Sequence, residues 1–249
     1  MSPTTSINVI VVGGGIGGLS TAIALRKAGH SVKVLERSGS ATGEAGAAVT
    51  VPANATRILR SWGMDFAKAR MVPYTAMQVL RGDIDPMREV FNSDFRTIEK
   101  SFGAPYLLSH RVDLHDALLS MATSQGIGIP VEIVSRAAVA SYDAHAGSVT
   151  LKDSSILMAD LVVAADGVHS QAHRYILGYE NPAVATGTTV IRFMLPTADL
   201  REDPHTALLV SGGEGHGSIY TAADGLRWLV RYPCRKCAFT IFRKARICY

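Results

Sequence analysis

A run of glycines between two apolar segments, close to the start of the chain, is the feature that most constrains the fold. Residues 7–12 are apolar and predict a buried strand, residues 13–18 contain five glycines and predict a tight turn, and residues 19–28 predict a helix. A second apolar segment follows and ends at Glu36. This order of strand, turn, helix and strand predicts a β-α-β unit of the type that binds a nucleotide.

Three glycines of this turn have separate expected tasks. Gly13 permits the sharp turn off the strand, Gly15 lets a pyrophosphate approach the backbone because no Cβ intervenes, and Gly18 lets the helix pack close to the sheet. The helix N-terminus then offers free N–H groups and the positive end of its dipole to the phosphates. Glu36 lies where a carboxylate accepts hydrogen bonds from ribose hydroxyls. The alternatives are a plain glycine-rich turn and a merely solvated acid at the strand end.

The composition is that of a globular chain. Of its 249 residues 47% are hydrophobic, the mean hydropathy is +0.17, and the length allows one good core and part of a second. Residues 7–25 are apolar, but they lack the basic flank and the cleavage site of a signal peptide. We therefore expect a soluble, cytoplasmic protein without a membrane partner.

The excess of basic charge is confined to one end of the chain. The sequence has 25 basic and 21 acidic residues, and seven of the basic ones but no acidic one lie after position 224. The rest of the chain therefore carries more acidic than basic residues. This distribution does not predict a nucleic-acid surface on the body of the protein.

No residue pattern predicts a metal site. Cys234, Cys237 and Cys248 all lie in the basic segment, and the Cys-x-x-Cys pair has no second ligand pair, so we interpret it as coincidence. His169 and His173 are four residues apart on an expected helix, but no third ligand is evident. A body without cysteine is typical of a reducing compartment.

Two positions in the first half of the chain are further candidates. The small-residue loop 46–48 would let a flat ring pass close to the backbone at Ala48, and simple tight packing is the alternative. Arg111 begins an expected helix whose inner face carries Leu114, Ala117, Leu118 and Met121. Because Arg111 lies at the positive end of the helix dipole, we expect an anionic partner, and a surface salt bridge is the alternative.

Another candidate follows an apolar strand in the second half. Residues 161–165 predict a buried central strand, and Asp166 and Gly167 come directly after it. Because α/β folds bind ligands at the carboxyl edge of a parallel sheet, we expect Asp166 at that edge. Other strand predictions are a hairpin of 75–81 with 88–92, and then 188–195, 206–211, 217–221 and 226–232.

Three stretches in this order resemble the flavin-dependent aromatic hydroxylases of the salicylate-hydroxylase type, particularly fungal ones. They are the glycine turn with Glu36, the helix start Arg111-x-x-Leu114, and the motif Asp166-Gly167-x-x-Ser170. The resemblance spans residues 7 to about 233. It implies an α/β fold, with a Rossmann-like FAD-binding domain of the p-hydroxybenzoate-hydroxylase type and a β-rich substrate domain.

The resemblance also implies a cofactor and a reaction. In the family the glycine turn and Glu36 hold the adenosine half of FAD, the position of Ala48 lies near the cofactor, Arg111 contacts it, and Asp166 supports FAD and NAD(P)H. Reduced flavin reacts with O2, and an oxygen is transferred to an activated aromatic ring, usually a phenolate. The implied partners are an aromatic small molecule and O2, and the oligomeric state is not predicted.

Two residues of the second half are implied to face the substrate. Arg192 matches an arginine that in fungal members could stabilise a phenolate, and a surface ion pair is the alternative from the residues alone. Tyr232 matches a tyrosine able to hydrogen-bond the substrate oxygen, and Tyr220 is its rival.

The chain departs from the family pattern in two places. His173 stands where the family has arginine, and Arg174 comes one residue late. The Gly-Asp-Ala motif of longer members is absent, and residues after Arg235 no longer resemble them. We therefore expect a chain that lacks the C-terminal part and ends in an aberrant basic tail. Expected divisions are an FAD-binding domain at 1–74 and 100–180, a substrate domain at 75–99 and 181–233, and the tail at 234–249.

Three functions are compatible with this sequence. The first is an FAD-dependent monooxygenase that hydroxylates a phenolic compound, as in secondary metabolism. The second is an FAD-binding protein without turnover. The third is an NAD(P)-dependent dehydrogenase, which is disfavoured because Arg111 and Asp166 would then have no task.

Overall fold

A computed structural model describes residues 5–39, 48–126, 128–179, 184–185 and 187–247, with backbone only for the last seven. Residues 46 and 47 of the predicted small-residue loop lie outside the described residues. The contacts divide the chain into two compact units, Met1–Glu44 with Leu114–Val184 and Ala45–Asp113 with Ala185–Tyr249. The domain boundaries expected from the sequence remain a prediction.

Sixteen strands and six α-helices are described, and two short 3-10 helices cover Gly167–His169 and Ala207–Val210. In chain order they are β1 (Asn8–Val12), α1 (Ile16–Lys27), β2 (Ser31–Glu36), β3 (Ala48–Val51), α2 (Ala53–Ser61), β4 (Val72–Pro73), β5 (Ala76–Arg81), β6 (Arg88–Asp94), α3 (Ile98–Phe102), β7 (Leu107–His110), α4 (Arg111–Thr123), β8 (Glu132–Ser135), β9 (Val139–Asp143), β10 (Ser148–Leu151), β11 (Ile156–Met158), β12 (Leu161–Ala164), α5 (Ala172–Leu177), β13 (Thr188–Pro196), α6 (Thr197–Glu202), β14 (His216–Thr221), β15 (Arg227–Cys234) and β16 (Phe239–Ile247).

The first unit is built around a four-stranded parallel sheet in the order β12-β1-β2-β8. Helix α1 connects β1 to β2, which confirms the predicted β-α-β unit. Val11 and Val34 face each other across the two strands and are fully buried, as expected for a parallel sheet covered on both faces. A three-stranded antiparallel sheet, β11-β10-β9, contributes Val149 to a core cluster with Ile10 and Leu35.

The buried Arg26 closes the carboxyl end of helix α4 within this unit. Its guanidinium donates hydrogen bonds of 2.7 to 3.3 Å to the carbonyl oxygens of Met121, Ala122, Ser124 and Gly128. The last carbonyls of a helix have no partner inside the helix, and a cation at that end also complements the helix dipole. The side chain therefore joins α1 to α4.

Several sequence predictions for local structure are wrong. Strand β12 was expected to be central, but it is an edge strand of the described sheet, and Leu161 is 41% exposed. His169 and His173 do not share a helix, because His169 ends a 3-10 helix and His173 lies in α5. Residues 206–211 are not a strand: they contain a 3-10 helix, which lets Leu209 and Val210 pack with Leu200 of α6.

The second unit contains two sheets. One is three-stranded and antiparallel, in the order β3-β7-β4, and the other has six strands in the order β13-β16-β15-β14-β5-β6. All neighbours in the larger sheet are antiparallel except β14 and β5. The predicted hairpin of β5 and β6 is present.

Residues after Arg235 take part in this second unit. Strand β16 lies between β13 and β15 and pairs with both along its length. Both oxygens of the Asp113 carboxylate accept hydrogen bonds from Arg235 at 3.1 Å, and Nε of Arg70 is 3.9 Å away. The segment expected to be an aberrant tail therefore supplies a central strand and an ion pair of the fold.

The two faces of the six-stranded sheet differ in polarity. Residues directly opposite each other on neighbouring strands share a face. One face packs Tyr232, Val230 and Met194 into an apolar cluster. The other carries His216 and Arg231, of which only 8% and 3% are exposed.

Arg231 is a buried cation held by neutral groups. Its Nη1 donates to the carbonyl oxygen of His216 at 2.6 Å, and its side chain also bonds Tyr220. Nε of Arg231 and Nδ1 of His216 are buried without a hydrogen-bond partner in the described part of the chain. Burial lowers the pKa of the Arg231 guanidinium. Burial, and then the charge of Arg231, lower the pKa of His216.

The ion pair at Asp113 gives a first prediction. Arg235→Met should destabilise the chain by about 2–3 kcal/mol, because the Asp113 carboxylate is only 10% exposed and would keep, among the described residues, only the ion pair with Arg70 at 3.9 Å. Urea unfolding of the purified chain measures the change. Arg227→Met is the control, because the Arg227 pair with Asp224 is solvent-exposed and should matter little. Equal midpoints for Arg235→Met and the parent would contradict this role of Arg235.

The buried His216 gives a second prediction. Its pKa in the folded chain lies below the ordinary 6.5, so the unfolded chain binds more protons between these two values. The contribution of neutral His216 to the free energy of unfolding is therefore fully present above about pH 6.5, and it is lost as the pH is lowered through this window. Urea midpoints measured from pH 7.5 to 5 should fall less in His216→Gln than in the parent. The exposed His205 provides the control His205→Gln, and a parental slope in His216→Gln would refute the assignment.

Candidate functional site

The glycine turn of the first unit is shaped by two close backbone contacts. Gly13 has a φ of 106°, and a Cβ there would meet the carbonyl of Ala165 and lie 3.0 Å from Cα of Asp166. A Cβ on Gly18 would collide with the carbonyl oxygen of Gly13. By contrast, no described atom lies within 4 Å of a Cβ on Gly15, the residue that precedes α1. The turn therefore packs tightly at Gly13 and Gly18 and is open at Gly15.

Glu36 is fixed at the end of β2 by backbone donors. Its Oε2 accepts the N–H of Gly14 at 2.8 Å, and its Oε1 accepts the N–H of Ser38 at 2.8 Å. Burial alone would raise the pKa of Glu36, but the hydrogen bonds from Ser38 and Gly14 outweigh it and hold the pKa below its usual value. Each carboxylate oxygen can accept a further hydrogen bond. The side chain is thus an oriented anion beside the turn.

Asp166 lies on the other side of the same turn. Its Oδ2 accepts a hydrogen bond of 2.8 Å from the hydroxyl of Tyr142. Its Oδ1 is buried and has no hydrogen-bond partner among the residues that the structure describes. Because buried acceptors in proteins nearly always have a donor, Oδ1 is a place where a ligand donor fits.

His115 is a site residue that the sequence did not reveal. It is buried on α4, and its Nε2 is 2.8 Å from the carbonyl oxygen of Gly14, to which it donates. No motif contains it, and the only signal was a polar residue between two inward-facing leucines, Leu114 and Leu118. His115 and Glu36 together hold both polar groups of the Gly14 backbone.

These residues fit the dinucleotide that the sequence predicts. The open backbone at Gly15 precedes the first turn of a twelve-residue helix, where N–H groups have no partner inside the helix. Glu36 offers acceptors for hydroxyl groups, and Oδ1 of Asp166 needs a donor. Among the described residues, no group of three or more His, Cys, Asp or Glu side chains is arranged to hold a metal ion. None of the described helices has the length and apolar character needed to span a membrane.

The predicted residues of the second unit lie on two sheets and a helix start. Ala48 begins β3, and its carbonyl oxygen accepts the hydroxyl of Tyr232 at 2.9 Å. Arg111 is the half-buried first residue of α4, as predicted. The structure therefore brings Ala48 and Tyr232 into direct contact.

The sheet register separates the two rival tyrosines. Arg192 of β13 is paired with Arg243 of β16, which is paired in turn with Val230 of β15. Arg192 and Val230 therefore lie on the same face of the sheet. Tyr232, two residues further along β15, shares that face. Tyr220 is opposite Leu229 and belongs to the other face. Arg192 is exposed, whereas Tyr232 is buried.

Comparison with known proteins identifies relatives over nearly the whole chain. Residues 6–227 match the family described as FAD binding domain. The chain is 35% identical over 238 residues to the FAD-dependent monooxygenase cfoG of Aspergillus candidus, covering 94% of this chain and 54% of that protein. It is 32% identical to hispidin-3-hydroxylase of Neonothopanus nambi, covering 92% and 56%. The chain thus spans about half the length of the curated relatives it matches.

Solved structures show the same fold. The crystal structure of FqzB superposes with a TM-score of 0.77 at 26% identity, covering 99% of this chain and 55% of that one. CtdE in complex with FAD and its substrate superposes with a TM-score of 0.78 at 22% identity, covering 98% and 58%. The predicted resemblance and the predicted fold class are confirmed.

Two glycines of the same turn should respond differently to an added methyl group. Gly18→Ala should destabilise the chain by at least about 1–3 kcal/mol, because its Cβ meets a backbone carbonyl that cannot move aside. Gly15→Ala should change stability by less than about 1 kcal/mol, because the space around it is open and its φ of −73° suits alanine. Thermal unfolding of both variants without ligand compares them, and equal losses would contradict the packing described here.

Proposed function

The chain belongs to the FAD binding domain family, and from that premise we propose that it acts as a flavin-dependent monooxygenase on an aromatic, phenolic small molecule, using NAD(P)H and O2. The names of the relatives support this class of reaction, because they include FAD-dependent monooxygenases and hydroxylases of aromatic compounds. The reaction is the one that the sequence resemblance implies.

The observation that carries the proposal is the convergence of three fixed groups on the glycine turn. The open backbone at Gly15 would receive the pyrophosphate of FAD, Glu36 would accept the ribose hydroxyls, and Oδ1 of Asp166 would accept another hydroxyl of the cofactor. Ala48 and Arg111 are proposed contacts of the same cofactor. When bound, FAD supplies the electron transfer from NAD(P)H and the activation of O2.

The protein's own part in the reaction is to orient and activate the ring. A phenol is more reactive as a phenolate, and a nearby cation lowers the cost of losing the proton. We assign this task to Arg192, which is exposed on the apolar face of the six-stranded sheet. The apolar neighbours on that face would exclude water from the ring.

Tyr232 is proposed to act on the same face in a different way. Its hydroxyl donates its proton to the carbonyl oxygen of Ala48. While this hydrogen bond is present, the phenol oxygen can accept a hydrogen bond from a substrate but cannot donate one. We therefore propose that Tyr232 holds the backbone of β3 at Ala48 and offers an acceptor to a substrate hydroxyl. Tyr220, on the opposite face, is not proposed to contact the substrate.

Spectroscopy and turnover test the proposed function. The purified chain is loaded with FAD, desalted, and mixed with NADH or NADPH and a panel of phenols, and products are separated by chromatography. A retained flavin spectrum with hydroxylated product supports the proposal. Retained flavin without product supports an FAD-binding protein without turnover, and a colourless protein that binds NADH supports a dehydrogenase.

Glu36 gives a quantitative prediction for the cofactor. Glu36→Ala should weaken FAD binding by about 1.5–3 kcal/mol, the range for hydrogen bonds to a charged group. Fluorescence titration of the ligand-free chain with FAD measures the affinity. Glu132→Ala is the matched control, because Glu132 lies on the neighbouring strand and pairs with Lys33 at the surface. An unchanged affinity in Glu36→Ala would remove Glu36 from the site.

Arg192 gives a prediction for the chemical step. Arg192→Ala should leave FAD binding and flavin reduction intact but lower hydroxylation by roughly a hundredfold, because the phenolate loses its cation. Product formed per NAD(P)H oxidised is the measurement. Arg88→Ala, at the far edge strand β6 of the same sheet, is the control. Loss of flavin in Arg192→Ala would show that the arginine is structural.

A further inference from the structure

Tyr142 belongs to a chain of hydrogen bonds that ends on Asp166. It lies in β9 of the three-stranded sheet, outside every motif of the sequence. Its hydroxyl is 2.8 Å from Oδ2 of Asp166, and it is also hydrogen-bonded to the side chain of Ser170. Oγ of Ser170 in turn accepts the backbone N–H of Ala172 at 3.0 Å. The four groups connect the start of α5 to the carboxylate.

The direction of this chain is fixed by its two ends. A backbone N–H can only donate, and the hydroxyl of Tyr142 donates its single proton to Oδ2 of Asp166. Ser170 therefore accepts from Ala172 and donates to Tyr142, and Tyr142 donates to Asp166. Burial, followed by the hydrogen bond to Asp166 and its charge, raises the pKa of the Tyr142 phenol far above its usual value. The phenol thus keeps the proton that it donates.

This arrangement leaves one oxygen of Asp166 for another partner. Tyr142 occupies Oδ2 and so restricts rotation of the carboxylate about its last bond. Oδ1 remains buried and has no hydrogen-bond partner among the described residues. A buried acceptor in this state calls for a donor from a ligand.

We propose that Tyr142 is a positioning residue, which holds Asp166 so that Oδ1 accepts a hydrogen bond from a sugar or sugar-alcohol hydroxyl of the bound cofactor. The proposal rests on the proposed function, because it takes FAD as the ligand that Asp166 meets. Ser170, the last residue of the Asp-Gly-x-x-Ser motif, then supports Tyr142 and acts on the cofactor only through it.

Removal of the hydroxyl alone tests this role. The ring of Tyr142 packs edge-on against Tyr175, with centroids 6.1 Å apart, and Tyr142→Phe keeps that contact. We expect Tyr142→Phe to bind FAD about tenfold more weakly than the parent. Tyr175→Phe is the matched control and should bind as the parent does, because the Tyr175 hydroxyl bonds Arg174 and not Asp166. An unchanged affinity in Tyr142→Phe would overturn the proposal.

A double-mutant cycle separates positioning from general damage. If Tyr142 acts through Asp166, Tyr142→Phe should cause no further loss of FAD affinity in an Asp166→Ala background. Losses that add fully would show that Tyr142 acts independently of Asp166 and would overturn the proposal. If Tyr142→Phe does not fold, Ser170→Ala serves instead. Ser170→Ala removes the donor to Tyr142 and should weaken FAD binding about two- to threefold. An affinity equal to that of the parent in Ser170→Ala would overturn the proposal.

Hydrogen exchange without FAD distinguishes failure of this proposal from failure of the proposed function. Amides of residues 164–170 should exchange faster in Tyr142→Phe than in the parent and in Tyr175→Phe, because this segment contains Asp166, whose carboxylate has lost the hydrogen bond from Tyr142. Unchanged exchange would overturn the positioning role. A parent chain that binds no FAD would overturn the proposed function and the assigned ligand, while the exchange result would still decide whether Tyr142 holds Asp166.

Discussion

The contact between Gly18 of α1 and the carbonyl oxygen of Gly13 is the constraint on which the first unit depends. Only a hydrogen atom fits between them, so the helix starts directly against the end of β1. At the helix N-terminus, no atom of the described residues lies within 4 Å of the position that a Cβ on Gly15 would take. Gly14 is held between two side chains: Glu36 accepts a hydrogen bond from its N–H, and His115 donates one to its carbonyl oxygen. Contacts within the protein therefore hold the turn in this shape.

The second unit depends on a sheet whose two faces carry different chemistry. The apolar face holds Tyr232 and presents Arg192, whereas the opposite face buries Arg231. Arg192, a cation beside an apolar surface, could stabilise an ionised ring. Arg231, a buried cation bonded to neutral groups, contributes instead to the framework of the sheet. The ion pair of Arg235 with Asp113 joins the turn after β15 to the start of α4. Residues at the end of the sequence thus take part in the framework of this unit.

The sequence predicted the parts of the site that depend on neighbours in the chain. The glycine turn, Glu36 and the start of α4 at Arg111 follow from local spacing, and the structure has them where they were expected. The sequence did not predict His115 or Tyr142, because the hydrogen bond that joins each of them to the site is made to a residue far away in the sequence. It also misplaced β12, since an apolar run has the same pattern in a central strand as in an exposed edge strand. The register that places Arg192 and Tyr232 on one face arises from pairing with β16, whose residues had no recognisable motif.

We propose that the glycine turn of the first unit receives the pyrophosphate of FAD. The most direct measurement is a titration of the nitrogen-15-labelled chain with FAD, followed through the backbone amide resonances. We expect saturable shifts at residues 14–18, at Glu36 and at Asp166, while the amides of α6 stay unchanged. Saturable shifts that leave residues 14–18 unaffected, or no shifts at concentrations that saturate known flavoproteins, would show that the pyrophosphate does not bind at this turn.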